Sequence, residues 1–388
     1  MKIGLVHRKN LINKSELRRE FSGILYHMVK SFEKRGNSVK HVGPIQTSWK
    51  AKTIKLGIRL INGVKYFTPP EFAKFHPLYL DEMAAQVHKQ ASERGVDVLL
   101  SNDTTIMSHL SMELPTVLWR DATFEDLRRV YGKQMSERCT EWAHAHERTA
   151  MRNADLNLFS SECSVETAID FYDIPERKVF LVPFGANHDF MPDAERMERN
   201  IIRKRSRNIC RLIFIGVDWK RKGGDKAVEV CRELNAKGIS ATLDVIGAEW
   251  SVDNDIKDRV EMHGFLDKSS KEELQKYRNL LQRSHFLIHP ARAEAYGCVL
   301  PEACSFGVPC VASDVGGIPT TVKPGITGQT FPTSASAQEY AQYIFEVFTN
   351  RDRYVSLARN SINRFLERHN WTVAVEKVER LIEDVIKK

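Results

Sequence analysis

Apolar residues in this chain follow two rhythms: short unbroken runs, and longer stretches where they recur every three or four positions. Residues 2–7, 96–100 and 116–119, apolar with at most one charge inside the run, read as buried strands, and the mixed segment 38–42 reads as a further strand. Between 2–7 and 38–42, residues 16–34 carry Phe21, Ile24, Leu25, Met28, Val29 and Phe32 on one helical face, and Gly36 stops the pattern. A strand, a helix and a second strand in that order open a doubly wound α/β domain. The rhythm repeats downstream, with strands expected at 212–216, 242–247, 285–288 and 310–312. The chain then turns helical over 336–349, 352–369 and 371–388, where Trp371, Val375, Val378, Leu381, Ile382 and Val385 form an apolar stripe. Residues 191–208 are polar and charged, with a basic run at 203–207, and read as a linker or insert.

The most informative stretch is 288–330. A strand ends at Pro290, a loop carries Glu294 and Gly297, and a helix is expected near Pro301 and Glu302, stopping at Gly307 before Pro309. A new strand leads to the turn Gly316-Gly317. A helix start facing a glycine loop at a strand's C-terminal end suits an anion, and Gly297 lets the backbone approach it. The flanking carboxylates Glu294 and Glu302 would repel a diphosphate, so they suit hydroxyls attached to it. Phosphate with hydroxyl-rich groups on either side describes a nucleotide sugar.

The stretch Glu294-AYGCVLP-Glu302, followed by Ala-x-x-x-Gly-x-Pro and a Gly-Gly loop, resembles the C-terminal half of retaining glycosyltransferases of the GT-B fold, family 4. The resemblance implies an α/β protein of two Rossmann-like domains facing each other across a cleft. Residues 1–190, completed by the helix 371–388, would bind the acceptor, and residues 191–370 the nucleotide-sugar donor. It implies that Glu302 binds ribose hydroxyls and Glu294 sugar hydroxyls, and that backbone N–H groups around Tyr296, Gly297, Cys298 and Val299 hold sugar and phosphate. The turn after Gly216 matches the family's basic phosphate loop at Lys222-Gly223, while Val217 stands where the family has arginine. Lys220 or Arg221 is the candidate replacement. Phe265 and Leu266 lie in the segment that resembles the family's base-reading loop, and Gly23 matches the second glycine of its first turn, with Ser22 in place of the first. Asp121 is the candidate acceptor base or contact, or else a helix cap, since Trp119-Arg120-Asp121 replaces the family's usual histidine pair. His144 and His146 read as ordinary helix histidines. No metal and no other cofactor is expected. A GT-B-shaped epimerase, hydrolase or phosphorylase, and an inactive sugar-nucleotide-binding scaffold, remain alternative readings.

Composition adds limits. The chain has 388 residues, enough for two cores, with 42% hydrophobic and 28% charged residues. No apolar run approaches the ~18–20 residues of a membrane span. The first residues read as a strand, not a signal peptide. Seven scattered cysteines fit reduced thiols in a cytoplasmic protein. A net charge of +8 suits polyanionic partners such as nucleotide diphosphates or anionic lipid, and the resemblance implies a UDP- or GDP-linked donor. Nucleic acid is not expected, because no basic stripe with interleaved aromatics occurs. Residues 37–70 hold no acid, and Lys50, Lys52, Lys55 and Arg59 are interleaved with Trp49, Ile54, Leu56 and Ile58. That segment is either a solvated basic face or a peripheral contact through 49–65 with the inner face of a membrane or a lipid-linked glycan acceptor.

Overall fold

A computed structural model describes residues 1–9, 11, 17, 23–45, 53, 77–132, 135, 137–205, 208–247 and 249–387. The basic segment 49–65, apart from Thr53, and Ser22 lie outside them, as does most of 16–22. The chain forms two compact units, residues 1–182 with 375–388, and residues 183–374.

In the first unit the described residues form a six-stranded sheet: β1 (Lys2–Val6), β2 (Ser38–Val42), β3 (Val98–Ser101), β4 (Thr116–Arg120), β5 (Leu156–Phe159) and β6 (Val179–Leu181). All pairs are parallel and the order is β2-β1-β3-β4-β5-β6. Helices on both faces explain why most of these strands read as unbroken apolar runs. Val6, Val87, Leu99, Leu118 and Phe159 share one core. The helix Ile24–Lys34 begins at Gly23, whose φ of 83° is a left-handed conformation that favours glycine. Residues 375–387 close this unit: Val375, Val378 and Ile382 are fully buried. Arg35 Nε donates to Glu379 Oε2 at 2.6 Å, Asn37 Nδ2 to Glu379 Oε1 at 2.5 Å, and Lys377 Nζ to the Leu181 carbonyl at 2.9 Å.

The second unit holds β7 (Ile209–Gly216), β8 (Ser240–Gly247), β9 (Val260–Met262), β10 (Phe286–His289), β11 (Cys310–Ser313) and β12 (Gly328–Phe331). They too are parallel, in the order β12-β11-β10-β7-β8-β9. One core, with Leu212, Phe214, Val230 and Ile344, covers one face; another, with Ile213, Leu281, Leu300 and Ile318, covers the other. Strand order reverses at β7 and β10, and the crevice outside their C-terminal ends is where open α/β sheets bind ligands.

Residues 183–190 pack inside the second unit. Phe184 stacks on Trp371 with centroids 5.8 Å apart, and Phe190 stacks on Phe306 at 4.5 Å. The compact units therefore divide after Val182 and Ala374, because these aromatics anchor the connecting segments to the second core.

The linker reading of 191–208 is corrected by the helix Ala194–Arg205. Its buried positions Met197, Asn200, Ile201 and Lys204 recur at helical spacing but include only two apolar residues, so composition hid the face. Lys204 is buried because its ammonium donates to the Ser284, Gly307 and Phe306 carbonyls at 3.0, 3.2 and 3.5 Å. Those carbonyls end two other helices, where a cation is favoured.

Candidate functional site

Two loops meet at the reversal point of the second sheet. After β7, Asp218 caps a single helical turn, Trp219–Lys222, by accepting from the Arg221 N–H. The turn ends at Gly223, whose φ of 78° and contact with the Pro290 carbonyl leave no room for a side chain: a Cβ would lie 2.1 Å from that oxygen. After β10, the chain runs from Pro290 to Glu294. Main-chain and side-chain bonds knit the loops together. Arg292 N donates to the Arg221 carbonyl at 2.7 Å, and Arg221 Nη1 to the Ala293 carbonyl at 3.0 Å.

This knitting delivers Lys222 to Glu294. Lys222 Nζ donates to Glu294 Oε2. The neighbouring imidazole of His289, the last residue of β10, lies with Nε2 3.1 Å from the same oxygen. Glu294 is only 7% exposed. Burial pushes its carboxyl up, but the His289 hydrogen bond and the Lys222 charge outweigh that and bring it down to about 2. Burial pushes the His289 imidazole below its ordinary range. Gly216 sits behind this pair, since a Cβ there would lie 2.9 Å from Lys222 Cγ.

Glu302 lies in the first turn of the helix Val299–Cys304 and is 1% exposed. Lys268 Nζ donates to its Oε1 at 2.6 Å, and the Tyr277 hydroxyl donates to its Oε2. Burial and the adjacent carboxylate push the Tyr277 hydroxyl well above its usual range, which keeps it a donor. Each carboxylate oxygen retains a further lone pair to offer. As expected, Pro301 falls in the first turn, at the third position of the helix, where an N–H is still unneeded.

The other expected residues fall as follows. Gly297 has φ 85°, and Cys298 caps the helix that follows. Tyr296 is buried, its hydroxyl donating to the Phe184 carbonyl at 2.8 Å. Lys220 lies 3.7 Å from Asp225 and over the Trp250 ring, while Arg221 is turned to Asp218. Val217, at the family's arginine position, is 69% exposed. Leu266 is buried and Phe265 exposed on the loop after β9. Gly23 and Asp121 belong to the first unit. Asp121 follows β4, and its carbonyl accepts from the Ser160, Ser161 and Ser164 hydroxyls at 3.4 Å each. The side chain of His144 is engaged locally, with Nδ1 2.9 Å from the Tyr172 hydroxyl.

His289, Tyr277 and Lys268 were missed by sequence reasoning. The sole signal was for His289, a histidine ending a buried strand five residues before Glu294.

Among the described residues, Asp244, Glu261 and His263 place metal-type ligand atoms within 4.8 Å of one another. Arg283 already fills that cluster, donating to Asp244 Oδ2 at 3.2 Å and Glu261 Oε2 at 3.4 Å. It is an ion-pair network, built around a guanidinium. No described helix is long and apolar enough to cross a membrane.

Both sheets with their flanking helices match the GT-B glycosyltransferase fold. A sucrose-phosphate synthase from Thermosynechococcus elongatus superposes with a TM-score of 0.65 at 17% identity, covering 100% of this chain and 99% of that one. Anabaena HepE in complex with UDP gives the same TM-score and identity, covering 99% and 100%, and HepE also occurs with UDP-glucose. Residues 199–364, which carry both loops of the site, match the model for glycosyl transferases group 1. Among curated proteins, the D-inositol 3-phosphate glycosyltransferase of Corynebacterium aurimucosum is 24% identical over 258 residues, 64% of this chain and 61% of that protein. The chain spans about half to three fifths of the length of this and the next curated relatives it matches.

Proposed function

We propose that the chain is a retaining, metal-independent glycosyltransferase that moves a hexosyl group from a nucleotide-diphosphate sugar to a hydroxyl acceptor in glycan synthesis. The observation that carries this reading is the buried meeting of Lys222 and Glu294 at the reversal point of the second sheet. It puts a cation suited to a leaving diphosphate beside a carboxylate suited to sugar hydroxyls. HepE, which shares the fold, is found with UDP and with UDP-glucose, and this supports a UDP-sugar as the donor.

In this mechanism Glu302 accepts hydrogen bonds from the ribose hydroxyls, its other lone pairs being held by Lys268 and Tyr277. Glu294 accepts from the sugar hydroxyls and faces the positive charge that grows at the anomeric carbon. The bond from that carbon to the diphosphate oxygen breaks, and the electron pair leaves with the diphosphate. Lys222, assisted by Lys220 or Arg221 and by the N–H groups of residues 296–299, stabilises the negative charge. The acceptor oxygen bonds the anomeric carbon on the face the diphosphate leaves. Its proton passes to a general base, for which Asp121 is the candidate carboxylate. The acceptor is a glycan or a lipid-linked saccharide.

The test is thermal stabilisation by UDP, GDP, ADP and CMP in the presence of a chelator. A nucleotide at 100-fold its dissociation constant adds about 2.7 kcal/mol to folding. A shift with UDP, followed by release of glucose or its transfer from UDP-glucose, supports the reading. Absence of a shift with every nucleotide overturns it.

A further inference from the structure

The site contains a buried group with no part in the mechanism above. His289 is fully buried, with Nε2 3.1 Å from Glu294 Oε2 and no hydrogen-bond partner for Nδ1 among the described residues. A carboxylate can only accept, so the ring carries its proton on Nε2 and donates. A second proton, on Nδ1, would be buried without an acceptor. Burial and the positive charges of Lys222 and Arg221 also disfavour the imidazolium, against the pull of Glu294. His289 is therefore a neutral donor. It gives Glu294 a hydrogen bond without adding a charge to a site that must later release an anion.

A bound diphosphate carries more negative charge than Glu294 and draws the Lys222 ammonium toward itself. When the lysine turns to the phosphate, Glu294 is left buried with one partner fewer, and burial alone would push its carboxyl up. His289 cannot follow the phosphate, because its ring is held at the end of β10 next to Pro290. We propose that His289 is a positioning residue that keeps the Glu294 carboxylate ionised and aimed at the sugar while Lys222 is engaged with the diphosphate. This rests on the donor-site reading above, and no proton is transferred through the ring.

Two substitutions separate this role from simple packing. Glutamine places an N–H₂ where His289 Nε2 lies; asparagine falls short of it. The first readout is the pH titration of the Glu294 side-chain carboxyl, followed by 13C NMR in the free protein. The second is the affinity for UDP and for UDP-glucose, by calorimetry. His289→Asn is expected to raise the Glu294 pKa by about one unit or more. It should weaken UDP-glucose about tenfold or more, the loss of a hydrogen bond to a charged group, while leaving UDP unchanged. His289→Gln should restore both. His289→Leu, which keeps the volume, provides a second non-donating variant should the asparagine chain not fold. A Glu294 titration at the wild-type position in a folded non-donating variant overturns the proposal. If the wild-type chain ignores both UDP and UDP-glucose, the functional reading falls instead, and the carboxyl titration still decides the part played by His289.

Discussion

Lys222 and Glu294 stand 72 residues apart in sequence and meet as an ion pair whose side chains are 15% and 9% exposed. A buried pair of this kind is strongly destabilised when one partner is removed, because the other charge is left unmatched. In the proposed mechanism the same pair holds the cation that stabilises the departing diphosphate.

Replacing Lys222 by alanine should depress turnover more than donor affinity, since the leaving charge develops in the transition state. A loss of about tenfold to a hundredfold in kcat is expected, the size of one charged hydrogen bond. Steady-state kinetics with the donor identified by thermal shift would check it. A variant with wild-type kcat would assign the role to Lys220 or Arg221.

Glu294 makes stability depend on pH. Its carboxyl is depressed to about 2 in the folded chain and titrates near ~4.3 when unfolded. The stabilisation is therefore present above about pH 4.3 and is lost as pH falls toward about 2. Denaturant melts of wild type and Glu294→Gln should differ at pH 6, and the gap should narrow through that acid window.

Lys204 acts with the same sign in a higher pH window. Complete burial pushes its ammonium down to about 7, with Arg203 adding to the shift, against ~10.4 when unfolded. Between about pH 7 and 10.4 the unfolded chain binds the extra proton, so this group makes stability rise with pH. Lys204→Met should remove that slope. It should also lower stability at pH 7 by about 1–3 kcal/mol, because the Ser284, Gly307 and Phe306 carbonyls lose their donor.

Glu302→Ala should weaken nucleotide binding by about 1–3 kcal/mol, the size of leaving buried partners unpaired. Here the partners include Lys268 and Tyr277 of the protein itself. Tyr277→Phe should therefore reproduce part of the loss, by calorimetry with UDP. An unchanged affinity in Glu302→Ala would remove the ribose assignment.

Gly223→Ala should disrupt the loop after β7, because φ is 78° and the new Cβ would collide with the Pro290 carbonyl. A melting loss of about 1–3 kcal/mol is expected, together with weaker nucleotide binding.

The α/β class was legible because strands buried on both faces are written as uninterrupted apolar runs, as in Leu212–Ile215 and Phe286–Ile288. The two glutamates were legible because their spacing is local. What sequence could not show was what holds them. Tyr277 lies 25 residues from Glu302 and Lys268 34, and the crossover from β9 at the sheet edge through the helix Lys271–Arg283 to β10, which β8 and β7 separate from β9, brings them together. The helix Ala194–Arg205 was hidden for a different reason: its buried face includes a lysine satisfied by carbonyls instead of an apolar side chain. The basic segment 49–65 lies outside the described residues, apart from Thr53.

The first unit is made of two separated pieces of chain, with residues 375–387 supplying the partners of Arg35 and Asn37. During synthesis those partners emerge from the ribosome after the whole of the second unit. The second core can close as soon as residue 374 is free, whereas the first must wait with Arg35 and Asn37 uncovered until Glu379 arrives. Although it opens before the second unit along the chain, the first unit is thus completed after it, contrary to the usual order in which earlier domains fold first.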